Sequence, residues 1–468
     1  MSAGSKPMKR TLRDAATAVG GQLVGADHPY GAVATDSRTL KPGALFVALR
    51  GPNFDGGDFV AAAAAQGAIG AIVERAVPQA LAQVVVPDAL RALQQLGQAW
   101  RAQFTIPIVA IGGSNGKTTA KEMTAAILSR MGLCMATHGN LNNHIGVPVT
   151  LMRLEDSHRG AVIEMGANRI GDVAELVRLA RPTVGLITNA GAEHLEGFGN
   201  LDGVAQGEGE MVSCLDSTAT AVINADDVYA GYWRKVAAAR RILTFGVHAD
   251  ADFMAKDSEQ AIERGEFATR FRLVCPLGER PITLKAGGAH NIGNALAAAA
   301  AASAAGASLE EIALGLADFR PVAGRLQLKA GVRDSWIIDD SYNANPSSVR
   351  AGLEVMRSLP GATWLVLGDM AELGEYAEDS HAHMGAYARD CGIKRLFALG
   401  PQSSRAVETF GSGAEWFADA ESLTRRLQAE LAPGVTVLIK GSRVNRLERV
   451  VQALIGGGGG SSPMMRAS

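Results

Sequence analysis

The chain is poor in several features that would have pointed to particular functions. It has four cysteines, Cys134, Cys214, Cys275 and Cys391, and none falls in a C-x-x-C pair. That excludes a disulfide framework and a zinc knuckle and suits a reducing compartment. The formal net charge is only -2, so there is no electrostatic case for a nucleic-acid partner. No uninterrupted apolar run reaches the ~18 residues of a membrane span. The stretch "NALAAAAAASAAGA" is too short and too alanine-rich. The opening "MSAGSKPMKR" lacks the apolar region of a signal peptide. No internal repeat is present. These absences predict a cytoplasmic protein without membrane insertion, and a monomer is expected.

What is present is abundant apolar sequence, 47% of 468 residues. At roughly 150 residues per domain this predicts about three domains. The spacing divides the chain into 1–105, 106–322 and 323–456, followed by a low-complexity tail at 457–468, "GGGGSSPMMRAS", expected to be disordered. The first segment alternates short strands and helices: "GALFVAL" is a strand, and "ALRALQQLGQAWRAQF" an amphipathic helix. In the second, "IPIVAIGG", "RGAVIEMGA", "TVGLITNA" and "ATAVINADD" are buried strands separated by helices. This is the pattern of a parallel sheet with covering helices, whose ligands gather at the carboxyl ends of the strands. The third segment begins again with "WIIDDSYNANP", "TWLVLGDM", "RLFALG" and "VTVLIKG", a smaller α/β sheet.

The chemistry starts at "IVAIGGSNGKTTAKEM", residues 108–123. A phosphate-binding loop of the form G-x-x-x-x-G-K-[ST] calls for glycine where Ile111 stands. The loop is therefore shortened, and two threonines follow the lysine. Backbone N–H groups from Gly113 through Ser114, Asn115, Gly116 and Lys117 to Thr118, at a helix start, form an anion site. Lys117 reaches phosphate, and Thr118 stands where a Mg²⁺ ligand is expected. Thr119 is either a second phosphate contact or a helix-start residue. Glu164, at a neighbouring strand tip, reads as a metal ligand or as a solvated loop acid. His194, in "TNAGAEHLEGFG", is structural or marks a second metal. The asparagine-rich "GNLNNHIGVP" is a turn or a contact for a polar substrate. Arg325 is a candidate phosphate clamp, and Asp339 and Asp340 close a strand. Lys440 and Arg443 stand in a Gly-Ser turn suited to anchoring a carboxylate.

Over nearly the whole chain these stretches resemble the Mur ligases of peptidoglycan synthesis. "GGSNGKTT" looks like their short phosphate loop. "HGNLNNHIGVP", "VIEMGAN", "HLEGFG", "DDSYNANPSS", "LGDMAELG" and "KGSR" are similar to the members that use D-alanyl-D-alanine. The resemblance implies an α/β protein of three domains: a small uridine-nucleotide domain, a central P-loop parallel-sheet ATPase domain and a Rossmann-like C-terminal domain. It implies ATP and Mg²⁺ as cofactors, and UDP-N-acetylmuramoyl-tripeptide and D-alanyl-D-alanine as substrates. Residue by residue, it implies that Lys117 contacts the ATP phosphates, that Thr118 and Glu164 hold one Mg²⁺, and that His194 holds another. Asn291 reads adenine, and Arg325 and Asp340 approach phosphate and ribose. Thr35, Asp36, Ser37 and Arg38 lie near the UDP moiety, and Asn140 and Asn143 contact the nucleotide–peptide. Asn343, Asn345, Lys440, Ser442 and Arg443 lie near the dipeptide. A hinge is expected from Arg320-Pro321 to Arg325. The chain departs from the family pattern twice. Gly57 replaces a histidine common in F-D-G-H-D-F. Glu208, in "GVAQGEGE", replaces a lysine that many relatives carry in carbamylated form, and is expected to supply the second metal's negative charge directly or through water.

Overall fold

The computed structural model describes residues 10–78, 81–238 and 240–455; the tail assigned to 457–468 lies outside them. The described residues build three large sheets and one two-stranded ribbon, Arg50–Gly51 against Phe54–Asp55. The first has strands β1 (Gln22–Val24), β2 (Ala32–Ala34), β3 (Ala44–Val47), β4 (Gly70–Val73) and β5 (Ala82–Val85) in the order β1-β5-β4-β3-β2. Helices α1 (Leu12–Val19) and α2 (Ala89–Arg101) pack on it. Asp88 caps α2 by accepting the Arg91 N–H. The helix turns Ala89, Ala92, Leu93 and Leu96 inward, the spacing of one helical face.

The second sheet carries the phosphate loop. Its strands are β6 (Ile108–Gly112), β7 (Cys134–Ala136), β8 (Gly160–Glu164), β9 (Val184–Ile187), β10 (Thr220–Asn224), β11 (Arg241–Gly246), β12 (Phe253–Glu263), β13 (Glu266–Cys275) and β14 (Gly278–Leu284). They run in the order β14-β13-β12-β11-β10-β9-β6-β8-β7. From β7 to β12 every neighbour is parallel. Helices cover both faces, so β6, β8 and β9 are buried throughout and read as continuous Val/Ile/Ala/Leu runs. On one face, α3 (Lys117–Leu128) meets α5 (Ala289–Ala304), where Ala297 to Ala302 are fully buried. A row of methyl-sized side chains lets the two helices approach closely. The other face carries α4 (Leu201–Ser213).

Nothing in the periodic reading marks residues 253–284, yet β12, β13 and β14 form an antiparallel extension of the sheet. Its tip has a packing role. Phe267 is buried with Leu326, Ile338, Val349 and Leu353, so the hairpin plugs into the core of the third lobe.

That lobe holds β15 (Gln327–Ala330), β16 (Trp336–Asp340), β17 (Ala362–Gly368), β18 (Arg395–Leu399), β19 (Ala414–Phe417) and β20 (Val435–Lys440), in the order β15-β16-β20-β17-β18-β19. Only β15 runs antiparallel. Between β16 and β17, helix α6 (Pro346–Arg357) starts with a capping box built by Asn345 and Ser348. Its first turn faces the phosphate loop of the second domain. Among the described residues, no helix is long and apolar enough to cross a membrane.

Candidate functional site

Ile111 explains the short loop. It is a core residue in mid-strand, paired with Glu164 on one side and Leu186 on the other. The strand therefore persists to Gly112, and only Gly113 to Gly116 separate it from α3. Two glycines are obligatory there. Gly113 has φ +114°, and a Cβ on it would collide with the Thr188 hydroxyl. Gly116 has φ +84°, and a Cβ on it would collide with the Asn294 carboxamide.

The loop is braced by its own first half, which narrows the expected anion site. The Gly113 N–H donates to Glu208 Oε2 at 2.6 Å. The Ser114 N–H donates to Asn189 O at 2.9 Å, and the Asn115 N–H to Asn189 Oδ1 at 3.0 Å. The Ser114 hydroxyl is taken as well, since it accepts from Gly191 N and donates to Gly191 O. What is left to receive an anion is Gly116 and the first turn of α3, Lys117, Thr118 and Thr119, where helical N–H groups lack internal acceptors.

Two pockets meet over this turn. One, of 420 Å³, is lined by Thr118, Thr119, Asn189, Asn291 and Asn294, with Arg325, Asp340, Ser347 and Lys440 from the third lobe. The other, of 260 Å³, is lined by Lys117, Thr118, Asn142, Asn143, Glu164, Glu193 and His194, and by Arg325, Asn343 and Asn345 from across the cleft. Thr118 and Arg325 belong to both. A third cavity of 720 Å³ lies alongside, between the β12–β13 hairpin and α6; Ile262, Phe267, Val355 and Leu359 make it mainly apolar.

The charged groups of the smaller pocket are tightly arranged. Lys117 Nζ donates to Glu193 Oε1 at 3.0 Å, to Ser114 O at 3.0 Å and to Gly113 O. Burial works against its charge, but Glu193, Glu208 and Glu164 together hold its pKa above the ordinary lysine value. Glu164 is 3% exposed. Its Oε1 accepts from Asn142 Nδ2 at 2.9 Å, while its Oε2 is buried without a hydrogen-bond partner. A buried carboxylate oxygen left unpaired is costly, and beside Thr118 it is the kind of ligand a hard cation takes. His194 sits in the left-handed region at φ 49°, and its Nδ1 lies 2.7 Å from Glu372 Oε2 of the third lobe. Among the described residues no three His, Cys, Asp or Glu side chains form a ready-made metal centre. An ion at Glu164 would therefore complete its shell with hydroxyl, phosphate and water oxygens.

Most of the remaining predicted residues already have partners within the protein. Lys440 is 1% exposed. It donates to Asp340 Oδ2 at 2.6 Å and to Asn343 O, and it lines the larger pocket, so it does not offer a free ammonium to a dipeptide. Burial pushes its pKa down, and Arg325 adds to this against the pull of Asp340. Asp340 is fully engaged, since its Oδ1 also accepts the Leu326 N–H. The Ser442 hydroxyl bridges Ala371 N and Ala344 O. Asn345 caps α6 and donates to Asn115 Oδ1 at 2.9 Å. Arg443 points outward, paired with Glu448 at 3.5 Å and over the Tyr342 ring, which Arg325 stacks more closely at 4.3 Å. Asn291 donates to Gly287 O and accepts from Asn294. Asn143 lines the smaller pocket and caps the turn at Gly146, whereas exposed Asn140 is outside that lining. Glu208 lies beneath the loop and lines neither of the two pockets. In the first domain Asp36 is chelated by Arg38, which holds its pKa down to about 2, with Thr35 and Ser37 beside it in the turn after β2.

Four residues that sequence reasoning did not single out belong to the site: Asn142, Glu193, Asn294 and Glu372. Glu193 carried a signal, an acid beside a candidate ligand histidine at a strand end. Asn142 lay in the asparagine-rich stretch already read as a turn or a substrate contact; Asn294 and Glu372 are evident only once distant segments meet.

A shortened phosphate loop at the switch of a parallel sheet, with a third α/β lobe lining both pockets above it, defines a three-domain nucleotide-binding protein. The sequence matches the family models for the Mur ligase family catalytic domain over residues 29–102, the Mur ligase middle domain over 111–302 and the Mur ligase glutamate ligase domain over 324–443. The UDP-N-acetylmuramoyl-tripeptide–D-alanyl-D-alanine ligase of Escherichia coli K12 is 43% identical over 95% of this chain and 98% of its own length. A crystal structure of MurF from Acinetobacter baumannii superposes with a TM-score of 0.88 at 33% identity, covering 96% of this chain and 99% of that one. MurF from Thermotoga maritima in complex with ADP gives 0.80 at 26% identity over 90% and 96%. The chain belongs to the Mur ligase family.

Proposed function

We propose that this protein is an ATP-dependent ligase that joins D-alanyl-D-alanine to the terminal carboxylate of UDP-N-acetylmuramoyl-tripeptide, in peptidoglycan precursor synthesis. One observation carries the reading: a nucleotide-sized pocket and a second, carboxylate- and amide-lined pocket share Thr118 and Arg325 as a common wall. A γ-phosphate in the first then faces the carboxylate that accepts it in the second.

Amide formation from a carboxylate and an amine is unfavourable in water, so the carboxylate is first activated. Its oxygen attacks the γ-phosphorus of ATP, the bond to the β-phosphate oxygen breaks, and an acyl phosphate and ADP result. The amine of D-alanyl-D-alanine then attacks the acyl carbon and phosphate departs. The protein's share of the first step is positioning and charge neutralisation. Lys117, with its charge secured by three carboxylates, and the open N–H groups of α3 receive the phosphates. Arg325 approaches from the third lobe over the shared wall. Thr118 and Glu164 would hold Mg²⁺, and His194, through Nε2, a second ion. When bound, such ions screen the repulsion between two anions. Asn142 keeps Glu164 aimed, and the third lobe covers the reacting atoms against water.

Mass spectrometry of the product from UDP-N-acetylmuramoyl-tripeptide, ATP, Mg²⁺ and D-alanyl-D-alanine tests this directly. Phosphate release must require both the tripeptide and the dipeptide. Release with neither would leave only a nucleotide hydrolase.

A further inference from the structure

The phosphate loop is supported from below by one acid. Helix α4 passes behind the loop with Gly207 and Gly209 on either side of Glu208, which is 2% exposed. The approach is close. A Cβ on Gly112 would lie 3.0 Å from both Glu208 Oε2 and Met211 Cε. At this contact the carboxyl accepts the Gly113 N–H at 2.6 Å, within the first turn after β6.

We infer that Glu208 is a positioning residue for the phosphate loop, pinning it through the Gly113 N–H, rather than a partner of a metal ion. The inference rests on reading the larger pocket as the nucleotide site.

Two arguments support it. A buried N–H needs an acceptor, and Glu208 is the acceptor the fold supplies. The job also requires no charge. Lys117 faces Glu208 from α3 and Glu193 from the segment after β9, while Glu210 of its own helix turns to the Gly171 and Ala174 N–H groups and acts on it only as a nearby charge. Burial first, with Glu193 and Glu210 adding, raises the Glu208 pKa to about 7 against the pull of Lys117 and of the Gly113 N–H. A protonated carboxyl still offers a carbonyl oxygen to Gly113. An ionised one places a negative charge under an anion site.

The test is metal-free: ADP binding in EDTA by calorimetry, with wild type, Glu208→Gln and Glu208→Ala. Wild-type binding establishes the nucleotide site; no binding by wild type would remove that reading and this inference with it, an outcome distinct from either failure among the variants. Glu208→Gln keeps an acceptor without charge and is expected to stay within about threefold of wild type at pH 6.5 and to bind relatively tighter at pH 8.5. Glu208→Ala is expected to lose at least about fivefold, the worth of one hydrogen bond, and to raise KM for ATP more than it lowers kcat. Glu208→Gln is nearly isosteric, so it remains informative if the alanine variant does not fold. The inference fails if Glu208→Gln is as impaired as the alanine variant. It also fails if both bind ADP normally while only the Mg²⁺ dependence of ligation changes.

Discussion

Replacing Asn115 with alanine leaves the loop backbone intact but removes a side chain that joins two lobes. Asn115 Nδ2 donates to Ser347 Oγ at 2.9 Å, and Asn115 Oδ1 accepts from Asn345 Nδ2 at 2.9 Å. Both partners belong to the start of α6, over 200 residues away in sequence. A neutral hydrogen bond contributes about 1 kcal/mol net, so Asn115→Ala weakens docking of the third lobe on the loop by about 2 kcal/mol. If ligation needs the docked lobe, kcat/KM for ATP falls about 30-fold. Ser347→Ala removes one of the two bonds and costs about fivefold. The decisive measurement is the double variant, since the Ser347 bond is already absent in Asn115→Ala. The pair should then lose about 30-fold, with a coupling of about 1 kcal/mol. Losses that multiply to about 150-fold would show that the two residues act independently and that the contact does not hold the lobes together. Small-angle scattering with ADP bound gives a second readout: the radius of gyration should rise in Asn115→Ala.

Glu164→Gln preserves an oxygen for Asn142 but removes the unpaired carboxylate charge; ligation should fall at least about 100-fold with a raised Mg²⁺ requirement, while metal-free ADP affinity is unchanged. Calorimetry beside a Mg²⁺ titration separates the two effects. Lys440→Ala leaves Asp340 buried beside Leu326 with its cation gone, so global stability should drop by about 3–5 kcal/mol in denaturant titrations; an unchanged midpoint would return Lys440 to a substrate role. For pH, the sign follows from Glu208, whose folded pKa of about 7 lies above its ordinary 4.5. Between those values the folded chain holds a proton that the unfolded chain has released, so this residue's contribution to stability falls as pH rises through that window. Glu208→Gln should therefore gain Tm over wild type at pH 8 and lose that gain below about pH 4.5; a constant difference across the range would refute the assignment.

The strands and the loop were legible because their signals are local. Ile108–Gly112, Gly160–Glu164 and Val184–Ile187 are buried on both faces, and each announces itself as an apolar run ended by a polar or glycine residue. The antiparallel extension was not, because β12 and β13 mix charged and apolar residues on a half-exposed surface. Arg270 and Arg272 pair there with Glu263, Glu259, Asp257 and Glu279 across the strands. Among site residues, Thr118, Glu164 and His194 stood out because each is a chemically unusual side chain at a strand end or helix start. The part of Lys440 was hidden for the opposite reason. Asp340 and Lys440 are register partners on adjacent parallel strands, a neighbourhood created by pairing segments 100 residues apart. The same holds for Glu208 and Gly113, which are 95 residues apart. A lysine in a Gly-Ser turn looks like an anchor for substrate until its acid is found beside it.

The short loop and the third lobe are two parts of one arrangement. Because the strand continues through Ile111, the helix begins after four loop residues, and Thr118 comes directly to the boundary between the pockets. More loop at this point would interpose backbone between the phosphate end of a nucleotide and the neighbouring carboxylate pocket. The boundary has a second half, however, and it is not on the same lobe. Arg325 and Ser348 line both pockets from the far side, just as Asn115, Gly116 and Thr118 do from the near side. Neither lobe alone encloses the place where an acyl group and a phosphate would meet. Docking is sensed at the loop by Asn115 and at the smaller pocket by the His194–Glu372 contact, where two residues in the left-handed region, at φ 49° and φ 64°, face each other across the cleft. Backbone strain of that kind persists only where surrounding structure holds it. At His194 its own lobe does part of the holding, since its carbonyl accepts the Gly197 and Phe198 N–H groups, and Glu372 of the third lobe does the rest at Nδ1, so this contact ties the turn after β9 to the far wall of the boundary that Thr118 shares.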